Sequence, residues 1–239
     1  VSAALMDHGV RGYAGAPQTI CSDHYLDNAA VDGPIGYKLE VPPMHPVLFS
    51  TTLQGFGEAH AQLMREFATS HAMLALLRDG FHPQSPGGTV QLRDDGTPLL
   101  DYPITDFVWE GVRRSWLAMA ELQFAAGAKR VYVVHEQCTG YASWAEAKAG
   151  IGQLPLKNQL ARIVSAHVMG GCGMAADERQ GVTDPWGRYR GLGNLSVCDG
   201  SLFPTSIGAN PQLSVYGLAA RNASRLAEEL TKQPAPALA

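Results

Sequence analysis

The run Ser165-Ala-His-Val-Met-Gly-Gly-Cys-Gly-Met174 is followed by Val197-Cys-Asp-Gly-Ser-Leu-Phe-Pro204 and then by Gly208-Ala-Asn-Pro-Gln-Leu-Ser-Val215. The first places a histidine in a turn too rich in glycine for regular helix. In the second, Leu195-Ser-Val-Cys-Asp199 is predicted to be a short apolar strand ending in an Asp-Gly turn. The third starts a helix over 211–230: Asn210 is a favoured N-cap, and Pro211 suits the first helical position, where its missing N–H costs nothing. One stripe of that helix is small (Gly217, Ala220, Ala223 and Ser224), which suits close approach to another backbone or to a flat ligand.

Upstream the patterns differ. The spacing of Leu63, Phe67, Leu74 and Leu77 predicts a helix from Gly57 to Arg78. Gly88–Arg93 and Pro98–Tyr102 flank Asp94-Asp-Gly-Thr97, which predicts a hairpin because Asp-Gly accepts the positive dihedrals of a tight turn. A long helix is expected from about Asp106 to Ala126, with Asp106 as N-cap and Gly127 as stop; its apolar set includes Val112, Trp116, Met119, Leu122 and Ala126. Tyr37–Val41 and Lys129–Val134 are predicted strands. Antiparallel strands and long helices without a regular βαβ rhythm predict an α+β fold for residues 9–155. No internal repeat is seen, and the Pro/Ala-rich end, 231–239, is expected to be a disordered tail.

Composition narrows the function classes. Of 239 residues, 17% are charged and 46% hydrophobic, and the net charge is −4 with scattered basic residues. Nothing points to a nucleic-acid partner, and no apolar run approaches the ~20 residues of a membrane span. Cys21, Cys138, Cys172 and Cys198 lack close-pair spacing and are expected to be reduced, mostly buried thiols rather than disulfide or metal ligands. His167 and Cys172 have no second close pair, so no metal site is expected. A histidine-dependent hydrolase is discounted because no Gly-x-Ser-x-Gly elbow occurs. The opening Val1-Ser-Ala-Ala-Leu-Met-Asp-His8 shows no signal-peptide pattern and reads as if entered in mid-protein.

Two readings stand for each site candidate. His167 is a general base or hydrogen-bond donor to a substrate hydroxyl, or it is a histidine satisfied by backbone partners. Asn210 caps the last helix, or its amide points into a site. The helix end itself carries about half a positive charge and would stabilise a ligand's negative charge. Asp199-Gly200 is either a plain turn or a place where a cofactor lies against backbone. Met44, Phe49, Trp109, Tyr141 and Trp144 read as ordinary core, or as the wall of a pocket for a bulky apolar ligand.

Taken together, His167, Gly170-Gly-Cys172, Met174, Gly181-Val-Thr-Asp184, Val197–Pro204 and Asn210-Pro211 resemble the C-terminal block of the glucose–methanol–choline (GMC) flavoprotein oxidoreductases. The Gly-Gly-Cys turn and the Asn-Pro ending resemble the cholesterol-oxidase-like and long-chain-alcohol branches. Leu5-Met-Asp-His8 resembles the element preceding the family's substrate domain. The resemblance implies oxidation of an alcohol to a carbonyl by hydride transfer to FAD, with His167 as base and Asn210 as its partner. It also implies cofactor contacts from Asp199, Gly200, Asn210, Pro211 and Gln212. By the same likeness, residues 1–8 would end a FAD-domain region, 9–155 would form an antiparallel-sheet substrate domain, and 160–230 would complete an α/β FAD-binding domain. The expected partners are a small, apolar alcohol and an N-terminal FAD-binding chain or segment, because no Gly-x-Gly-x-x-Gly occurs in these residues. Two departures are visible: that missing motif, and Met174-Ala175 where the family usually has Met-Gly. The alternative is a non-catalytic module of the same fold that binds an apolar ligand or a partner protein.

Overall fold

The structure is a computed structural model, and it describes residues 1–14, 16 and 18–235. The chain separates into two compact units, one of residues 1–85 and 103–163, the other of residues 86–102 and 164–239. Mixed helix and antiparallel sheet make it α+β.

The first unit is built on a five-stranded antiparallel sheet. In chain order its elements are β1 (Ser2–Leu5), β2 (Cys21–Ser22), α1 (His24–Asp27), β3 (Tyr37–Glu40), α2 (Pro46–Thr52), α3 (Gly57–Arg65) and β4 (Ser70–Leu77). The hairpin β5 (Thr89–Leu92) and β6 (Pro98–Asp101) belongs to the second unit; α4 (Asp106–Ala125), β7 (Arg130–Val133) and α5 (Trp144–Gln153) complete the first. The strand order is β2-β3-β4-β1-β7. Residues 1–8, which the family likeness assigns to a preceding region, thus supply β1, paired on both sides: Ala4 lies opposite His71 of β4 and Val131 of β7.

Helix α4 covers one face of this sheet. Val112, Trp116 and Met119 point inward with Ala4, Leu39, Val131, Val133 and Ile151. Leu122, expected in that set, is exposed. One polar bond crosses the layer, from Ser2 Oγ to Gln123 Oε1 at 2.6 Å between two buried residues. Thr105 is the N-cap in place of Asp106, and its hydroxyl donates to Gln84 O instead of capping. Gly127, at φ 92°, ends the helix as expected, in a conformation that disfavours side chains. On the opposite face, Ala3 and Ala72 pair and pack with Met44, Phe49 and Leu53.

The predicted helix over 57–78 is a correction. Helix α3 stops at Arg65, a single turn of 3-10 helix spans Phe67–Thr69, and Ser70–Leu77 is strand β4. An eight-residue apolar run carries no decisive period of its own; the open edges of β1 and β3 on either side turn it into a strand. The pocket-wall candidates resolve as core. Met44, Phe49 and Trp109 are buried, and Tyr141 and Trp144 pack against the main cluster. Of the cysteines only Cys138 is buried; all four are free.

In the second unit, β5 and β6 form the expected hairpin, closed by Arg93 N–H to Thr97 O and by Gly96 at φ 80°. The predicted strand at 195–199 is absent; Ser196 makes one isolated bridge, to Arg188. Helix α6 spans Gln212–Thr231. The predicted disordered end at 231–239 begins as the last residue of α6, with Lys232 left-handed and the Ala235 N–H bonded back to Glu228 Oε1. Residues 236–239 lie outside the described part.

Replacing Trp116, only 2% exposed, by Ala should cost about 3–5 kcal/mol of stability. Urea unfolding would check this; a loss under 1 kcal/mol would mean that α4 does not carry the core.

Candidate functional site

In the second unit, main-chain pairing brings the first two motifs together. The Cys172 N–H donates to Ser201 O and the Met174 N–H to Leu202 O, each at 2.9 Å. The segment after His167 therefore lies beside the short 3-10 turn Gly200–Leu202. Asp199 begins that turn: its Oδ1 accepts the Ser201 N–H at 2.8 Å and also the Ser201 hydroxyl. The Ser201 hydroxyl foremost, and then the N–H, hold the Asp199 carboxyl below the usual carboxylate range. Fully buried Leu202 anchors the turn from below.

Gly200 is where these pieces meet. A Cβ at Gly200 would lie 3.3 Å from Val168 O, 3.6 Å from Val215 Cγ2 and 3.7 Å from Met169 Cγ. The residues just after His167, the Asp-Gly turn and the first turn of α6 thus converge on one glycine. A Cβ there would make ordinary contacts with the two side chains and be slightly tight only against Val168 O.

His167 itself sits in a bend and is half-buried. No hydrogen bond to its ring is found among the described residues. Asn210 is half-buried and engaged in contacts of its own. The cap assignment shifts by one residue: Pro211 is the N-cap and Gln212 the first helical residue. The reason is that Pro211 O accepts the Val215 N–H at 2.8 Å and so opens the helical ladder. Pro211, the N-cap, makes no side-chain cap bond, and the first turn of α6 holds no acidic residue to offset its positive end. The Gln212 side chain is held by Tyr216, with Nε2 2.6 Å from the hydroxyl.

An arch over residues 181–197 supports this arrangement. Thr183 has no solvent exposure, and its hydroxyl donates to Cys172 O at 3.2 Å. Arg190 reaches back to the carbonyls of Ala175, Ala176 and Gly181. A Cβ on Gly181 would stand 2.6 Å from Gly173 O and 2.9 Å from Ala175 Cβ, so Gly181 makes the room in which Ala175 replaces the family's usual glycine. Trp186 lies under the Arg221 guanidinium of α6 at 3.9 Å, and Arg188 pairs with Glu229. Among the described residues no cluster of three or more His, Cys, Asp or Glu is placed to hold a metal.

The first unit carries a residue that the sequence reading missed. Glu40 is 2% exposed; Lys38 Nζ is 3.5 Å from its Oε1 and 3.7 Å from Asp23 Oδ1. Its Oε2 is buried with no hydrogen-bond partner. The signal was present in Tyr37-Lys-Leu-Glu40: Tyr37 and Leu39 enter the core, so alternation sends Lys38 and Glu40 to the other face. A buried carboxylate oxygen without a donor is costly, and it suits a ligand or water that brings one.

Known proteins bear on this site. Long-chain-alcohol oxidase FAO4A of Arabidopsis thaliana is 28% identical over 189 residues, which cover 76% of this chain and 25% of that protein. An uncharacterized GMC-type oxidoreductase, y4nJ of Sinorhizobium fredii, is 24% identical over 81% of the chain and 37% of its own length. A cholesterol oxidase of Acinetobacter baumannii is 42% identical over 57 residues, or 24% of the chain and 10% of that protein. The chain therefore spans between a quarter and somewhat over a third of the first two relatives. The family model described as GMC oxidoreductase matches residues 83–219, more than half of the chain, and the chain belongs to this family of FAD-dependent oxidoreductases.

Proposed function

We propose that this chain is the C-terminal part of a flavin-dependent enzyme that oxidises the CH–OH group of an apolar alcohol to a carbonyl, with a preceding chain or segment supplying the rest of the FAD-binding domain. What supports the reading is the convergence at Gly200: the residues just after His167, the Asp-Gly turn and the first turn of α6 meet at one glycine of the second unit. The long-chain-alcohol and cholesterol oxidases among the relatives support an apolar alcohol as substrate.

The residues present suit FAD. Bound there, FAD supplies the hydride acceptor. The uncapped start of α6 offers main-chain N–H groups and a positive field to a ring edge that gains negative charge, with Asn210, Pro211 and Gln212 at that edge. Asp199 and Gly200 border the cofactor's polar chain. His167 takes the hydroxyl proton as the C–H bond breaks, and Asn210 orients the substrate oxygen.

The first test is the visible spectrum of the chain mixed with FAD, alone and together with its N-terminal FAD-binding partner, followed by anaerobic addition of an apolar primary alcohol. Bleaching of the bound flavin is expected in the assembled protein. A fully assembled, flavin-loaded protein that no alcohol bleaches would overturn the reading in favour of a non-catalytic module. His167→Ala should slow bleaching by a factor on the order of 10² to 10⁴ with FAD still bound; an unchanged rate removes its role as base.

A further inference from the structure

We infer that Thr183 is a positioning residue for His167, acting through the strand-like segment 172–175; the inference rests on His167 being the proton acceptor. Thr183 is fully buried and addresses that segment from three atoms. Its hydroxyl donates to Cys172 O at 3.2 Å, its N–H to Gly173 O at 3.4 Å, and its carbonyl accepts the Ala175 N–H at 3.1 Å. On its far side it is bridged to Tyr189, so the arch over residues 181–197 backs it.

Between this clamp and His167 stand Gly170, at φ 88°, and Gly171. Two glycines in a row transmit little stiffness of their own, because each has a wide dihedral range. The orientation of the histidine must then be set at both ends of the turn. At the near end, Val168 and Met169 rest against Gly200. At the far end, Cys172 is held from one side by Ser201 O through its N–H and from the other by the Thr183 hydroxyl through its carbonyl. Opposed bonds on the two polar groups of one residue fix its peptide planes, and the hydroxyl is the part of this clamp that a side-chain change removes. A base must stand within hydrogen-bond reach of the proton it takes, so a small tilt of the turn lowers the rate of the chemical step while ligand affinity is kept.

The test compares Thr183→Val, which keeps the shape and removes the hydroxyl, with Thr183→Ser, which keeps the hydroxyl. In the full-length flavin-loaded protein, Thr183→Val should lower the limiting rate of flavin reduction about tenfold with the alcohol dissociation constant unchanged, and Thr183→Ser should stay within about twofold of wild type. Hydrogen exchange of this chain without flavin gives a second readout: the peptide over residues 165–175 should exchange faster in Thr183→Val and normally in Thr183→Ser. A slow His167→Ala beside a Thr183→Val of wild-type rate overturns the positioning role alone, as does equal slowing by Val and Ser. Normal flavin reduction in His167→Ala overturns the proton-acceptor reading and this role with it. A lowered melting temperature without a change in limiting rate marks Thr183 as purely structural.

Discussion

The layer formed by α4 on the antiparallel sheet is the constraint on which the first unit depends. A twenty-residue helix presents Val112, Trp116 and Met119 to strands β1, β3, β4 and β7. Removing these large side chains from water is the dominant favourable term, because apolar burial scales with the area covered. The Ser2–Gln123 bond contributes specificity more than energy: a buried hydroxyl and amide that satisfy each other fix where β1 sits under the helix. With β1 fixed, β4 and β7 have edges to pair with, and β3 follows on β4. The carboxylate of Glu40 then lies on the face opposite α4, partly neutralised by Lys38. Asp23 foremost, then Cys21 and Glu40, outweigh the desolvation that would otherwise lower the Lys38 pKa, and hold it above the ordinary lysine value.

The second unit is held differently. Outside its hairpin and α6 it has little regular structure, and fully buried side chains are few: Thr183 and Leu202 have no exposure, and Asn222 is the buried residue of α6. Order comes from main-chain bonds between irregular segments and from glycines that permit close approach. A Cβ on Gly187, for instance, would stand 2.4 Å from Val197 O. The Trp186 contact with Arg221 and the Arg188–Glu229 pair fasten the arch to α6 from outside. Such partly exposed interactions are worth about 1 kcal/mol or less apiece, so they select an arrangement more than they stabilise it.

The two units carry their polar groups differently. His167 and the α6 start belong to the second unit, whose order comes from main-chain bonds and glycines. Glu40 belongs to the sheet-based unit, where a rigid strand carries a single acceptor. Rigid strands hold one group with little play, and irregular turns bring several backbone groups near a flat ligand.

Much of this was legible in the chain. The Asp-Gly hairpin, the Gly127 helix stop and the Pro211 helix start are local events governed by the dihedrals a residue permits, and each appears where the residues predict it, within one or two positions. The order His167, Asp199-Gly200, Asn210-Pro211 was sufficient to recognise the family, because a site of main-chain groups fixes which residue types its turns accept. Other features needed the folded chain. Ser70–Leu77 became a strand because β1 and β3 offered it hydrogen-bonding edges, and Met44, Phe49 and Trp109 became core because two layers closed over them. The unpartnered oxygen of Glu40, the convergence at Gly200 and the clamp from Thr183 depend on contacts between residues remote in the chain. Local sequence sets dihedral preference and periodicity; which distant edge or face is available is decided only when the chain packs.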